Sequence, residues 1–285
     1  MNRNSMLAQL DENKTWDMLI IGGGATGLGA AVDAASRGFS TILIEANDFA
    51  KGTSSRSTKL VHGGVRYLEQ GNLKLVREAL KERGWLLENA SQVTRKLGFI
   101  IPAFSFVQKI YYGSGLKIYD ILSGKLSLGA TKILGKKTTQ NFLPGISQKN
   151  LRGGVMYYDG QFDDARLAIN LASTAAKHGA VLLNYCEVMS LLKKKTKPTD
   201  KQAKVYGAVV YDEISDRTFE IKSKTVINAT GVFADDIMQM DNDNANEIIS
   251  PSQGIHLVVD KKFFPGDHAL MIPKTDDKRV LFAVP

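Results

Sequence analysis

DMLIIGGGATG, residues 17–27, decides the fold. The apolar run 18–21 does not alternate, as in a strand covered on both faces of a parallel sheet, and the glycines follow it without a spacer. Gly22, Gly24 and Gly27 occupy the positions of a GxGxxG turn. Behind them, Ala25 to about Ser36 reads as a helix with a small inner face (Gly27, Ala30, Ala31, Ala34, Ala35) and a stop at Gly38. A second apolar strand, STILIEA, ends at Glu45 and closes a βαβ unit of the dinucleotide-binding kind. Gly22 permits the tight turn, Gly24 lets a pyrophosphate approach the backbone, and Gly27 lets helix and strand pack closely. The N–H groups of the first helical turn then face the diphosphate. Glu45 accepts hydrogen bonds from a ribose diol and repels a 2′-phosphate. A glycine turn kept only for packing is the alternative; the strand before it and the acid after it count against that.

The fingerprint leaves NAD and FAD both open. The next stretch, GTSSRSTKLVHGGVRYLEQG at 52–71, favours an extended cofactor that stays bound, with Thr53, Ser54, Ser55, Arg56, Ser57 and Thr58 along its pyrophosphate and ribityl chain. An ordinary solvated Ser/Thr loop would leave Arg56 and the run KLVHGG without a reason.

With 285 residues and 44% hydrophobic content, the chain is long enough for one or two domains with a substantial core. Its one cysteine, Cys186, rules out an internal disulfide and reads as an inert, half-buried thiol in a reducing compartment. No run reaches the roughly 20 apolar residues of a spanning helix. The first residues lack a basic start followed by an apolar core, so a cytoplasm-facing protein is expected. The net charge of +8 suits an anionic membrane surface or a phosphorylated small molecule. Nucleic acid is the weakest partner, because zinc spacing, an RNA-binding aromatic signature and a basic helix with heptads are all missing from the sequence.

Leu73 to Leu97 reads as helix, with Val76, Ala79, Leu80, Arg83 and Leu87 on one stripe. Pro102 to Lys137 mixes Phe104, Phe106, Ile110, Tyr111 and Tyr112 with Lys109, Lys117, Lys125, Lys132, Lys136 and Lys137 and almost no acid. That pattern fits either a surface lying on an anionic bilayer or helical packing within a cap domain. VMYY (155–158) and VLLNY (181–185) read as strands around a helix from Asp164 to His178, with Asp163 as cap and Gly179 as terminator. EVMSLL and KVYGAVVYD are further strands joined by a solvated hairpin loop, KKKTKPTDKQA (193–203). The acid and amide residues of 235–247 suggest a domain crossing, and HALMIPKTDDKRVLFAVP reads as two strands with a turn at TDDK. The sequence then stops inside apolar residues without a cap, so a longer full-length chain is expected.

Several long runs together carry a resemblance. DFAKGTSSRSTKLVHGGVRYLEQG, YYDGQFDDARLAINLA, INATGVFADD, SPSQGIHLVVD and MIPKTDDKRVLFAVP resemble, in order, segments of the FAD-dependent glycerol-3-phosphate dehydrogenases, the respiratory enzymes of glycerol use, over essentially 16–285. The resemblance implies an α/β fold, with an FAD-binding, Rossmann-like domain of the glutathione-reductase type at 1–70 and 151–234. A mixed α+β substrate domain follows at 71–150 and 235–285, and members of that family continue well past the last residue here. The residues expected at the cofactor are Ile21, Gly22, Gly23, Gly24, Ala25, Thr26, Gly27, Glu45, Thr53 to Thr58, Lys59, Leu60, His62, Gly63, Gly64, Val188 (at the adenine), Ala229, Thr230 and Gly231.

The reaction so implied removes a hydride from C2 of glycerol 3-phosphate to the flavin while a base takes the hydroxyl proton, giving dihydroxyacetone phosphate. His62 and His256, the latter in a segment resembling a substrate-facing strand, are both candidates for that base. Arg66 offers the substrate phosphate a fork of donors, against the plainer reading of a surface ion pair with Glu69 or Glu78. Tyr67 stands beside it at the substrate or simply packs. No metal is expected. The electron acceptor implied is a membrane quinone, met from the inner face of the membrane, and a homodimer is an admissible assembly. Rivals are an oxidase using O2 on the same substrate, an amine or amino-acid oxidase on the same architecture, and a nucleotide-binding regulatory module without turnover.

Overall fold

A short helix, α1 (Arg3–Ala8), leads into β1 (Thr15–Ile21), α2 (Ala25–Ser36) and β2 (Thr41–Ile44), the βαβ unit read from the sequence. The structure is a computed structural model and describes residues 1–195, 203–275, 277 and 279–285. β1 and β2 are parallel, with Ile21 opposite Ile44. Leu19, Ile20, Leu43 and Ile44 are buried, which explains why neither strand alternates: both faces of the sheet are covered. Leu28, Ala31 and Ala35 of α2 join the same core.

Two units result, residues 1–57 with 164–254 and residues 58–163 with 255–285. Beyond Ser57 the second unit begins with β3 (Leu60–Val61), α3 (Val65–Glu69), α4 (Leu73–Asn89), β4 (Thr94–Ala103), α5 (Phe106–Ser123), β5 (Lys132–Leu134), α6 (Lys136–Phe142) and β6 (Gly153–Phe162). The helix expected to reach Leu97 therefore stops at Asn89, and 94–97 open a strand. The apolar run Phe99–Ala103 is fully buried and pairs antiparallel along the whole of β6, so burial on both faces outweighs the helical spacing upstream. VMYY is the middle of the ten-residue β6.

The first unit resumes with α7 (Asp164–Lys177), β7 (Val181–Leu183), β8 (Cys186–Lys194), β9 (Lys204–Asp212), β10 (Arg217–Asn228) and α8 (Ala234–Asp241). Its sheet runs β7-β2-β1-β10-β9-β8, parallel from β7 to β10 and antiparallel beyond. The second unit closes with β11 (Ala269–Ile272) and β12 (Leu281–Ala283), an antiparallel pair as expected, in a sheet ordered β12-β11-β4-β6-β3 with β5 also on β6. Most of the lysine-rich loop (196–202) and two residues of the TDDK turn, Asp276 and Lys278, lie outside the described residues.

The strand expected around His256 is not formed. Residues 255–259 are exposed and irregular, because among the described residues no neighbouring strand takes up their N–H and C=O groups.

Candidate functional site

In the first unit the carboxyl ends of β1, β2 and β10 converge. Gly22 follows β1 with φ +109° and donates its N–H to Ile44 O at 2.8 Å, while Ala229, just past β10, donates to Ile21 O at 2.8 Å. A Cβ on Gly22 would lie 2.5 Å from Ala229 O, and one on Gly27 only 1.9 Å from Gly22 O, so neither position accepts any other residue. At Gly24 the nearest atom to such a Cβ is Ser54 Oγ, 3.1 Å away. The same Ser54 Oγ accepts the Ala25 N–H at 2.9 Å, at the first turn of α2, which has no side-chain cap of its own.

Glu45 is fixed from two sides. One oxygen accepts the Gly23 N–H at 2.6 Å and the other the Asn47 N–H at 2.8 Å. A carboxylate has about four acceptor sites, so lone pairs remain for further donors. These residues line a cleft of about 830 Å³. Of the expected cofactor residues, Ile21, Gly22, Gly24, Ala25, Thr26, Glu45, Thr53, Ser54, Arg56, Val188, Ala229, Thr230 and Gly231 face it. Gly23 and Gly27 shape its wall through the contacts above. Ser57 is turned to Asp164, which accepts from its N–H at 3.1 Å and its Oγ at 2.7 Å. The sequence reading missed Asn47 and Lys51, although both sit between the acidic strand end and the hydroxyl-rich run, and Phe233 and Met240, which only the fold brings to the cleft. Cys186 also lines it, but burial and the neighbouring Asp212 push its thiol up to about 12, in keeping with an inert group.

Thr58, Lys59, Leu60, His62, Gly63 and Gly64 belong to the second unit. Leu60 pairs with Gln161 in β6, and Lys59 O accepts from Phe162 N at 3.0 Å. His62 is exposed, and its Nδ1 accepts the Gly64 N–H at 3.1 Å. Gly63 N donates to Tyr119 OH at 2.7 Å. Tyr119 donates to Asp159 at 2.8 Å, and Arg83 meets the same carboxylate at 2.7 Å. Burial raises the Asp159 carboxyl, and the attraction of Arg83 offsets only part of it. Arg83, placed on the helix stripe by its spacing, is thus a buried ion-pair partner. Arg66 and Tyr67 extend from α3 and are exposed; Arg66 borders a small cleft of about 210 Å³ with Glu69, Tyr112 and Lys274, and makes no ion pair among the described residues. His256 is exposed in the irregular 255–259 segment. No group of metal-ligating residues occurs among the described residues, and none of their helices is long and apolar enough to cross a membrane.

Comparison with known proteins gives consistent likenesses. The FAD-dependent oxidoreductase family matches residues 17–285. The mitochondrial glycerol-3-phosphate dehydrogenase of Homo sapiens is 43% identical over 291 residues, covering 100% of this chain and 40% of that protein. The crystal structure of the glycerol-3-phosphate dehydrogenase from Bacillus halodurans complexed with FAD superimposes with a TM-score of 0.72 and 34% identity, over 99% of this chain and 47% of that one. The L-alpha-glycerophosphate oxidase from Mycoplasma pneumoniae with FAD bound shares the fold alone, with a TM-score of 0.61 at 17% identity over 95% of this chain and 73% of that one. The chain spans less than half the length of the first two, 40% and 47%.

Proposed function

The chain belongs to the FAD-dependent oxidoreductase family, and we propose that the protein oxidises sn-glycerol 3-phosphate to dihydroxyacetone phosphate. FAD fits the cleft. Its volume of about 830 Å³ lies within the usual range for cofactor sites, roughly 300–1,000 Å³. The first turn of α2, where a diphosphate is favoured, lines the cleft through Gly24, Ala25 and Thr26 with Ser54 beside it, and Glu45 keeps acceptor capacity for a ribose. Bound there, FAD supplies a two-electron acceptor for the hydride leaving C2.

This chain's own residues would do the remainder. Arg66, with five N–H donors and no ion-pair partner among the described residues, binds the substrate phosphate. His62 or His256 takes the C2 hydroxyl proton as the carbonyl forms, and Tyr67 orients the substrate. We assign cofactor binding to the part read from the sequence as 1–70 and 151–234 and substrate binding to 71–150 and 235–285, although the compact units themselves divide at 57/58, 163/164 and 254/255. The observation that carries the reading is the HGGVRY run, which presents an exposed imidazole before α3 and an exposed guanidinium four residues on, within α3, with Gly63 between them tied to a buried ion pair through Tyr119.

The acceptor proposed is a membrane quinone, reached by docking on the cytoplasmic, anionic leaflet through the outer face of α5. Val107, Ile110 and Ile121 are 77%, 69% and 77% exposed on that face, and residues 102–152 hold eight basic side chains and one acidic. The test is turnover by the full-length protein with glycerol 3-phosphate, proline and glycine as competing substrates. Activity on the phosphorylated alcohol alone, with a quinone analogue reduced and no peroxide formed, is expected. Turnover of either amino acid in its place would overturn the substrate assignment, and peroxide in place of reduced quinone would overturn the acceptor.

A further inference from the structure

Two backbone N–H groups of the His62–Gly64 turn have fixed partners, and together they decide the state of the imidazole. Asp159 on β6, Arg83 on α4 and Tyr119 on α5 are each 1% exposed. Tyr119 has one hydroxyl hydrogen, and its distances of 2.8 and 3.0 Å to the two Asp159 oxygens commit that hydrogen to the carboxylate. Its lone pair is left for the Gly63 N–H at 2.7 Å. Position 63 takes no side chain, because a Cβ there would lie 2.3 Å from Leu80 Cδ2 and 2.5 Å from Tyr119 OH, so the backbone N–H approaches the phenol directly. Gly64, at φ +73°, then aims its own N–H at Nδ1 of His62, 3.1 Å away. A neutral imidazole whose Nδ1 accepts a hydrogen bond carries its proton on Nε2.

We propose that Tyr119, held by Asp159 and Arg83, is a positioning residue for His62, which it keeps in the Nε2–H tautomer as a hydrogen-bond donor. The inference rests on the reading of His62 as a site residue and deepens it. In that state His62 donates to the substrate oxygen, which leaves His256 as the remaining candidate for the group that takes the proton.

The test uses the full-length holoprotein with 15N-labelled histidine, the His62 signal being identified by its loss in His62→Gln. Wild type should show protonated Nε2 and an unprotonated Nδ1. Tyr119→Phe should lose the single-tautomer pattern and lower kcat by at least about tenfold, with KM within about threefold and FAD still bound. Tyr157→Phe keeps the ring that packs on Phe99 and Tyr119 and removes only a buried hydroxyl that donates to Met271 Sδ at 3.2 Å, so it should leave tautomer and kcat within about twofold of wild type. A protonated Nδ1 in wild type, an unchanged kcat in Tyr119→Phe, or an equal loss in Tyr157→Phe would each overturn the proposal. If Tyr119→Phe does not fold, the wild-type tautomer alone decides. Failure to oxidise glycerol 3-phosphate would instead strike the substrate assignment and leave the tautomer measurement standing.

Discussion

Glu45 shows how much of a site one side chain can organise. Its two oxygens accept N–H groups from the glycine turn and from the start of the following loop, so the carboxylate ties both walls of the cleft together while it keeps lone pairs for a ribose. Glu45→Gln keeps the shape but sets an amide NH2 against one of those N–H groups. Affinity of the apoprotein for FAD should fall about ten- to hundredfold, roughly 1.5–3 kcal/mol, as read by quenching of flavin fluorescence on titration; an unchanged affinity would show that Glu45 does not face the cofactor. This residue, with Gly22, Gly24 and Gly27, was legible in the sequence because its role depends on spacing within one βαβ unit. The Arg83–Asp159–Tyr119 network was not. Its members come from α4, β6 and α5, far apart in the chain, and Arg83 is disguised by a place on an apolar stripe that suits a buried charge only once Asp159 is beside it.

Among the elements, the strands and helices of the first unit follow from period and punctuation, whereas α4 and β4 do not. Helical spacing continues past Asn89, and only the pairing of β4 with β6 ends it. α5 was legible as composition but left two roles open, core packing or membrane contact. Both stripes exist. Gly113, Leu116, Tyr119 and Ser123 are buried, while Val107, Ile110, Tyr111, Ile118 and Ile121 form an exposed row at helical spacing. Ile110→Glu with Ile121→Glu should abolish flotation of the full-length protein with vesicles rich in anionic lipid, and the substitutions should shift its stability by no more than about 0.5 kcal/mol, as surface changes do. Undiminished flotation would place the membrane contact elsewhere.

At the scale of the molecule, the chain builds one unit, leaves it after Ser57, and completes it from Asp164 onward, so the βαβ fingerprint, the strand carrying Val188 and the strand that ends just before Ala229 share one sheet despite a long excursion between them. Sequence alone showed that the pieces exist; which of them pair is set by burial across distant segments. The account as a whole depends on a flavin in that cleft receiving electrons from a phosphorylated secondary alcohol. The most direct measurement is anaerobic mixing of the yellow full-length protein with glycerol 3-phosphate, followed through the visible absorption of the flavin and the product formed. Bleaching, with one dihydroxyacetone phosphate per flavin, is the predicted result; a flavin that stays bound and oxidised at saturating substrate would contradict it.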